Sequence, residues 1–467
     1  MINRKALAYL EEWKTRSTRK PLVLRGARQV GKTKLVVDLF GKKEFEEVVE
    51  INFEANHEYA EYFRSNDPDR IVQALETVTG KRIIDGRTLL FLDEIQAEPQ
   101  VIASLRYFYE KRPALHTIAA GSLLEFALEE IKYSMPVGRV EYLFLEPLSF
   151  EEFLPAAGAG SLAEWIEGYA PGDEVADALH KRLMENVLLY FMVGGLPEAV
   201  KVYSETKSLF EVERIQQTLI TTYIEDFAKY RRKVPLEMLE AVFRSLPLQI
   251  GKKFSYAEVD REARSREISA AVELLKKAMV LTRVNRSPGS GIPLGAGMDR
   301  SKFKAYTLDI GLCARQLGLS LASLRLPIDA GFIAERGGFC EQFAAENLKC
   351  AEPMHIEHDL YYWERMKPGS VAEVDFLIQV EHFVVPVEVK AGATGTLKSL
   401  HQYLLEKGTD FAVRINGDKP SYLETTFTDI SGQTHPFRLL SLPFYLCGQV
   451  KRFAMAALRG EAAPFKP

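Results

Sequence analysis

Hydrophobic positions along the chain change period several times, and the changes mark out elements. An unbroken apolar run at 22–24, Leu-Val-Leu, reads as a buried strand. A helical pattern over 34–40 follows and stops at Gly41. Residues 47–54 (EVVEINFE) read as a second strand, and 71–79 as a helical stretch. The run at 88–92 is a buried strand that ends in Asp93-Glu94. A helix over 100–112, a buried strand at 116–120 ending in Gly121-Ser122, and a strand at 140–145 complete the N-terminal third. The alternation of strands and helices predicts an α/β fold.

Further on, Ala156 to Gly160 and Pro171-Gly172 mark a loop-rich boundary. Residues 175–230 are almost continuously helical, broken at Gly194-Gly195-Leu196-Pro197, which is either a hinge or a plain helix connection. Residues 236–316 read as a winged helix. Leu236, Leu239, Val242, Phe243 and Leu246 recur at helical spacing, and Ser255 stands three residues before Glu258 as a helix start. A recognition-type helix spans 269–279, with wing strands at 280–284 and 303–308 around a Gly- and Pro-rich loop. A last helix at 339–350 precedes two strands, 373–380 and 383–390, joined by a tight turn at Glu381-His382.

The chemistry begins at the first strand. Gly26-Ala27-Arg28-Gln29-Val30-Gly31-Lys32-Thr33 fits G-x-x-x-x-G-K-[ST] between a strand and a helix start, the context a P-loop needs. Glycines let successive backbone N–H groups curl round a phosphate, and the helix N-terminus adds its positive end. Lys32 reaches the β- and γ-phosphates of ATP, and Thr33 holds Mg²⁺. Asp93 sits on the Mg²⁺ shell, and Glu94 is placed to polarise the attacking water as general base. Ser122 either faces the γ-phosphate or caps a helix over 123–131. Arg139 is either an arginine finger on the γ-phosphate or an ordinary surface arginine.

Composition narrows the setting. The 467 residues suggest about three domains by length. A net charge of −4 excludes a polycation, so nucleic-acid binding needs a local patch. Lys276, Lys277, Arg283, Arg286, Arg300, Lys302 and Lys304 offer one, although Asp260, Glu262, Glu267 and Glu273 lie close by. The four cysteines, Cys313, Cys340, Cys350 and Cys447, form no CxxC pair, which fits a reducing cytoplasm. The chain shows neither a signal-peptide core nor a membrane span, so a cytoplasmic protein is expected.

The set LRGARQVGKT, INFE, LLFLDEIQ, AAGSLLEF, VGR and LEPLSFEEFL, with GGLPEAV at 194–200, resembles AAA+ ATPases of the archaeal and bacterial type. The resemblance implies a five-stranded parallel core with a helical lid, and a C-terminal region of poorly characterised function.

In the C-terminal hairpin, residues whose numbers sum alike face one another, so Val380 faces Phe383 and Asp375 faces Glu388. Glu388 and Lys390 share a face. Asp375, Glu388 and Lys390 therefore gather, and a neighbouring helix adds Glu341. Two acids can hold Mg²⁺, which activates water on a phosphodiester, while the lysine steadies developing charge. Alternatively, the acids and lysine make an ordinary salt bridge. The arrangement resembles the PD-(D/E)xK nucleases, of the restriction-endonuclease-like fold. Asp375 matches the metal-binding aspartate, Glu388-Val389-Lys390 the E-x-K, Glu341 the helix glutamate, and Gln402 a following helix glutamine. The departure is Val374 with no proline before Asp375.

The expected division is a P-loop AAA+ core (1–165), a helical lid (166–233), a winged helix (234–318) and a nuclease-like domain (319–467). The expected function is ATP binding and hydrolysis coupled to a metal-dependent nuclease. The alternative is an ATP-dependent switch or scaffold that binds a protein partner or a second copy of itself, with a silent nuclease-like domain.

Overall fold

The computed structural model describes residues 4–122, 138–230, 234–319, 337–366, 372–391 and 397–465. The helix expected over 123–131 lies outside them. The chain falls into two compact units. The first comprises residues 1–147 with 277–280 and 353–357, and the second the remainder.

The first unit is organised by five strands: β1 (Leu22–Arg25), β2 (Glu47–Asn52), β3 (Thr88–Asp93), β4 (His116–Gly121) and β5 (Glu141–Phe144). They form one parallel sheet in the order β2-β3-β4-β1-β5, the five-stranded core that the resemblance implies. All residues of β3 and β4 are buried, as unbroken apolar strands covered on both faces must be. Crossover helices at Pro68–Thr79 and Gln100–Lys111 turn their apolar faces to this core, with Ile71, Leu75, Leu105 and Phe108 packed against Val49, Ile51, Leu90 and Leu92. The helix Lys5–Thr15 buries Ala6, Leu10 and Trp13. Residues 32–44 form one helical run whose middle, Leu35–Gly41, widens to π geometry. Among the described residues no helix is long and apolar enough to cross a membrane.

In the second unit, helices Asp177–Val193, Pro197–Thr206 and Leu209–Asp226 occupy the stretch read as helical, with the break at Gly194-Gly195. The Asp309 carboxylate fixes that break by accepting the Gly195 N–H at 2.6 Å and that of Leu312 at 2.9 Å. Next come helices Leu236–Ser245, Tyr256–Val259 and Ser265–Lys277. Ser255 precedes Tyr256–Val259, but its hydroxyl accepts no N–H of that turn, while its backbone N–H donates to the Gln249 side chain at 2.7 Å.

The strands of the second unit are β6 (Leu281–Arg286), β7 (Asp299–Thr307), β8 (Leu360–Glu364), β9 (Glu373–Val380), β10 (Phe383–Val389), β11 (Phe411–Asn416), β12 (Ser421–Thr428) and β13 (Thr434–Pro443). They make one sheet in the order β12-β13-β11-β10-β9-β8-β6-β7. The two strands read as wings, β6 and β7, therefore belong to the same sheet as the C-terminal hairpin. The link is a parallel pairing of β6 with β8. The β9–β10 hairpin has the expected register, with Val380 opposite Phe383 and Phe376 opposite Val387.

Candidate functional site

The P-loop lies where parallel topology delivers it, at the C-terminal ends of β1, β3 and β4. Arg25 at the end of β1 pairs with Gly121 of β4, and Leu92 of β3 pairs with Ala119. The loops after these three strands therefore share one edge, the usual ligand edge of an open parallel sheet. Gln29 and Gly31 take positive φ angles of 64° and 89°. Only such left-handed turns bring the loop's N–H groups round to one side, and Gly31 takes its turn without steric cost.

Lys32 is buried, and its Nζ donates to the Gly26 carbonyl at 3.0 Å and the Ala27 carbonyl at 2.9 Å. The ammonium is thus held over the loop by the loop's own backbone. Arg28 leaves it to pair with Glu54 at 3.0 Å, and Ala27 and Val30 are buried beneath. Arg4, itself buried, donates to the Val30 carbonyl at 3.3 Å and the Glu146 carbonyl at 2.6 Å, which braces the loop from below. That brace was not legible in the sequence, because nothing in the spacing links residue 4 to residue 30.

Thr33 Oγ1 donates to Asp93 Oδ2 at 2.8 Å. Burial pushes the Asp93 carboxyl up to about 6; the Thr33 hydrogen bond opposes this and the neighbouring Glu94 charge adds to it. A buried carboxylate beside a threonine hydroxyl fits Mg²⁺, which would replace the proton that burial favours and take both oxygens as ligands. Glu94 has a left-handed backbone, φ 52°, and its carboxylate accepts from the Gln96 side chain. Gln96 was not singled out in the sequence; the structure makes it the group that orients the candidate base.

Ser122 is buried, and its Oγ has no hydrogen-bond partner among the described residues. It lines a recess with Arg25, Gly26, Gly121 and Phe144. A buried hydroxyl without a partner is costly unless something else meets it, which suits a group awaiting a phosphate oxygen. Arg139 is half exposed and donates to Glu110 at 3.0 Å, where Arg106 also binds.

The second unit brings Glu341, Asp375, Glu388 and Lys390 together and adds residues that the hairpin argument did not include. Lys304 Nζ lies 2.8 Å from Glu341 Oε2, 2.7 Å from Glu373 Oε1 and 3.4 Å from Asp375 Oδ1. Tyr306 donates to the same Glu341 oxygen at 2.7 Å. Lys390 Nζ pairs with Glu388 Oε1 at 2.5 Å, and the Val389 N–H donates to Asp375 Oδ2 at 2.8 Å. Burial and the Asp375 charge push the Glu341 carboxyl up to about 7 and that of Glu388 to about 8. Gln402 bonds Glu406 instead.

The expected basic patch is corrected at two positions. Lys304 is 1% exposed and committed to acids. Arg283 is buried against Glu273 and the Arg300 carbonyl. Neither presents its charge to a phosphate backbone. Lys276 is paired with Asp359 at 3.0 Å.

Comparison with known proteins agrees with the geometry of the first unit. Residues 18–154 match a family model described as an AAA domain. The N-terminal part of the chain is AAA-like. Residues 184–323 and 336–427 match two models described as domains of unknown function, DUF8612 and DUF4143. No curated protein matches the chain. Among solved structures, the chain is similar to C. elegans PCH-2, at 14% identity and a TM-score of 0.24, over 44% of this chain and 61% of that one. It is also similar to the Aeropyrum pernix ORC2 protein in its ADPNP–ADP complexes, at 12% identity and a TM-score of 0.30, over 67% of this chain and 91% of that one. The chain thus spans less than two thirds of the first of these.

Proposed function

We propose that the chain binds and hydrolyses ATP at the Lys32–Thr33–Asp93 site, and that the nucleotide cycle works as a switch for a partner of the second unit. The observation that carries the first half is the convergence of Lys32, Thr33 and Asp93, bonded as they would be to receive Mg²⁺ and phosphate. In this reading Glu94 activates water, Ser122 meets the γ-phosphate, and the P-loop residues Gly26 to Thr33 cradle the phosphate chain. Arg139 stays in its surface pair, and any arginine finger comes from a second copy.

Support for the switch, rather than a nuclease, comes from the C-terminal constellation. Its acids are already matched with lysines, and two of the residues expected to bind nucleic-acid phosphates are buried. The nuclease reading keeps one observation in its favour, the convergence of Asp375, Glu388, Lys390 and Glu341 themselves.

The deciding experiment measures ATP hydrolysis with and without single-stranded, double-stranded and branched nucleic acids, and reads cleavage from the same tubes. Hydrolysis without cleavage is expected. Mg²⁺-dependent cutting that is lost in Glu388→Ala would replace the switch with the nuclease. No hydrolysis and no ATP binding would remove the first half of the proposal.

A further inference from the structure

The C-terminal acids have the residue types of a divalent-cation site, and their surroundings decide whether they suit one. Mg²⁺ takes oxygen ligands at about 2.0–2.1 Å in near-octahedral order and keeps several waters. Five of the eight carboxylate oxygens of Glu341, Glu373, Asp375 and Glu388 already face a protein donor. Glu341 Oε2 receives both Lys304 and Tyr306, and Asp375 offers one oxygen to Lys304 and the other to the Val389 N–H. Glu373 receives Lys304 at 2.7 Å and Glu388 receives Lys390 at 2.5 Å. One oxygen of the set, Glu388 Oε2, is buried without a partner among the described residues. Among the described residues, no three His, Cys, Asp or Glu side chains are grouped to hold a metal ion.

The ammonium itself cannot easily step aside. Lys304 is 1% exposed, and Glu341, Glu373 and Asp375 hold its Nζ at 2.8, 2.7 and 3.4 Å. The side chain also lies 5.7 Å from the Tyr362 ring centre, a favourable cation–π distance. Lys304 comes from β7, whereas its acids come from β9 and the helix Gly337–Cys350.

We propose that Lys304 is the resident cation of this constellation, taking the place that a divalent metal would otherwise hold and fastening β7 to β9 and the Gly337–Cys350 helix. The residues do not fit a metal centre, and no metal-assisted step is assigned to them. The inference deepens the reading of this constellation as catalytically silent and does not depend on the ATP site.

The test is a Mn²⁺ titration of the full-length, nucleotide-free protein, with free ion followed by electron paramagnetic resonance. Asp375→Asn and Glu388→Gln are titrated in parallel. The expected result is a wild-type curve unchanged by either substitution up to about 1 mM free Mn²⁺. A wild-type site that both substitutions abolish overturns the proposal. Thermal unfolding of Lys304→Gln supplies a second arm. Its midpoint is expected at least about 5 °C below wild type, because three acids lose their common cation. A midpoint within about 1 °C of wild type overturns the assignment. Should Lys304→Gln fail to fold, the wild-type titration still decides. Loss of the ATPase reading would appear at Lys32 and leave both arms unmoved, so the two fail separately.

Discussion

Thr33 Oγ1 donates to Asp93 Oδ2 at 2.8 Å, joining two motifs 60 residues apart in the chain. The strand that carries Asp93 is fully buried, so its carboxyl cannot turn to solvent when the site is empty. Substituting Asp93→Asn removes the anion while keeping the hydrogen-bond geometry. The expected outcome is retained ATP binding with Mg²⁺-dependent stabilisation lost. This is read as the rise in unfolding temperature on adding ATP with Mg²⁺ against ATP with EDTA. An Asp93→Asn protein that Mg²⁺ stabilises as well as wild type would place the metal elsewhere.

Glu94 is the candidate base, and its carboxylate is tied to Gln96. Glu94→Gln keeps the shape and removes the proton acceptor, so ATP should still bind while turnover falls by about 10²–10⁴-fold. Gln96→Ala should slow turnover less, because the base remains but is no longer oriented. Equal losses in the two variants, or none in Glu94→Gln, would move the base to another residue. Fluorescent ATP-analogue binding measured beside hydrolysis separates the two effects, with Lys32→Ala as the non-binding reference.

How much of this was legible beforehand follows from how local each signal is. The P-loop and the Asp93-Glu94 strand end are contiguous patterns whose meaning survives without a structure, and the five strands of the first sheet came within a residue or two of their observed bounds. The β9–β10 register was readable because a two-residue turn fixes it. Residues 281–307 show where local patterns stop. They have the strand lengths of a wing, but β6 also pairs in parallel with β8, Val284 with Leu360, across 76 residues of chain. Period and turn chemistry carry no information about a pairing that distant. For the same reason the sequence groups Lys304 with surface cations. A lysine in a polar-looking strand is usually solvated, and only the fold reveals the three acids around it.

Ser122 offers a test that separates a functional hydroxyl from a structural one. Its Oγ makes no hydrogen bond among the described residues, so Ser122→Ala removes no observed contact. Unfolding stability should change by no more than about 0.5 kcal/mol. Hydrolysis should fall about 10–100-fold with little change in ATP affinity, as for a group that engages charge developing at the γ-phosphate. A stability loss of several kcal/mol with unchanged turnover would make it a structural residue.

The break at Gly194-Gly195 is built into the backbone. Gly195 accepts the Leu148 N–H at 2.7 Å, and a Cβ there would run into the Leu148 carbonyl oxygen. Because a backbone atom cannot give way as a side chain can, Gly195→Ala should destabilise the protein by about 2–3 kcal/mol. Chemical denaturation provides the measurement. A loss below about 0.5 kcal/mol would show that this segment readjusts freely, as a hinge would.

Asp309 holds the same break from the other side, and its charge makes the contact depend on pH. Burial pushes its carboxyl up to about 6 from an ordinary 3.8, against the pull of the Gly195 and Leu312 N–H groups. A carboxyl whose pKa rises on folding binds its proton more tightly in the folded state. Its contribution to stability therefore grows as pH falls through about 6 toward 3.8, and is lost as pH rises above 6. The interval corresponds to at most about 3 kcal/mol. Asn at this position keeps an oxygen for the Gly195 N–H and cannot ionise, so Asp309→Asn removes the titration and leaves the shape. Wild-type stability should therefore improve relative to Asp309→Asn when the pH is lowered from 7.5 to 5. Other groups titrate in the same range, including His116, which burial holds at about 4, but they are common to both proteins and cancel in the difference. Urea unfolding of the pair at the two pH values reads that difference directly. A gap that stays constant, or moves in favour of Asp309→Asn at pH 5, would mean that burial does not raise the carboxyl and that the break at Gly194-Gly195 is fixed by geometry alone.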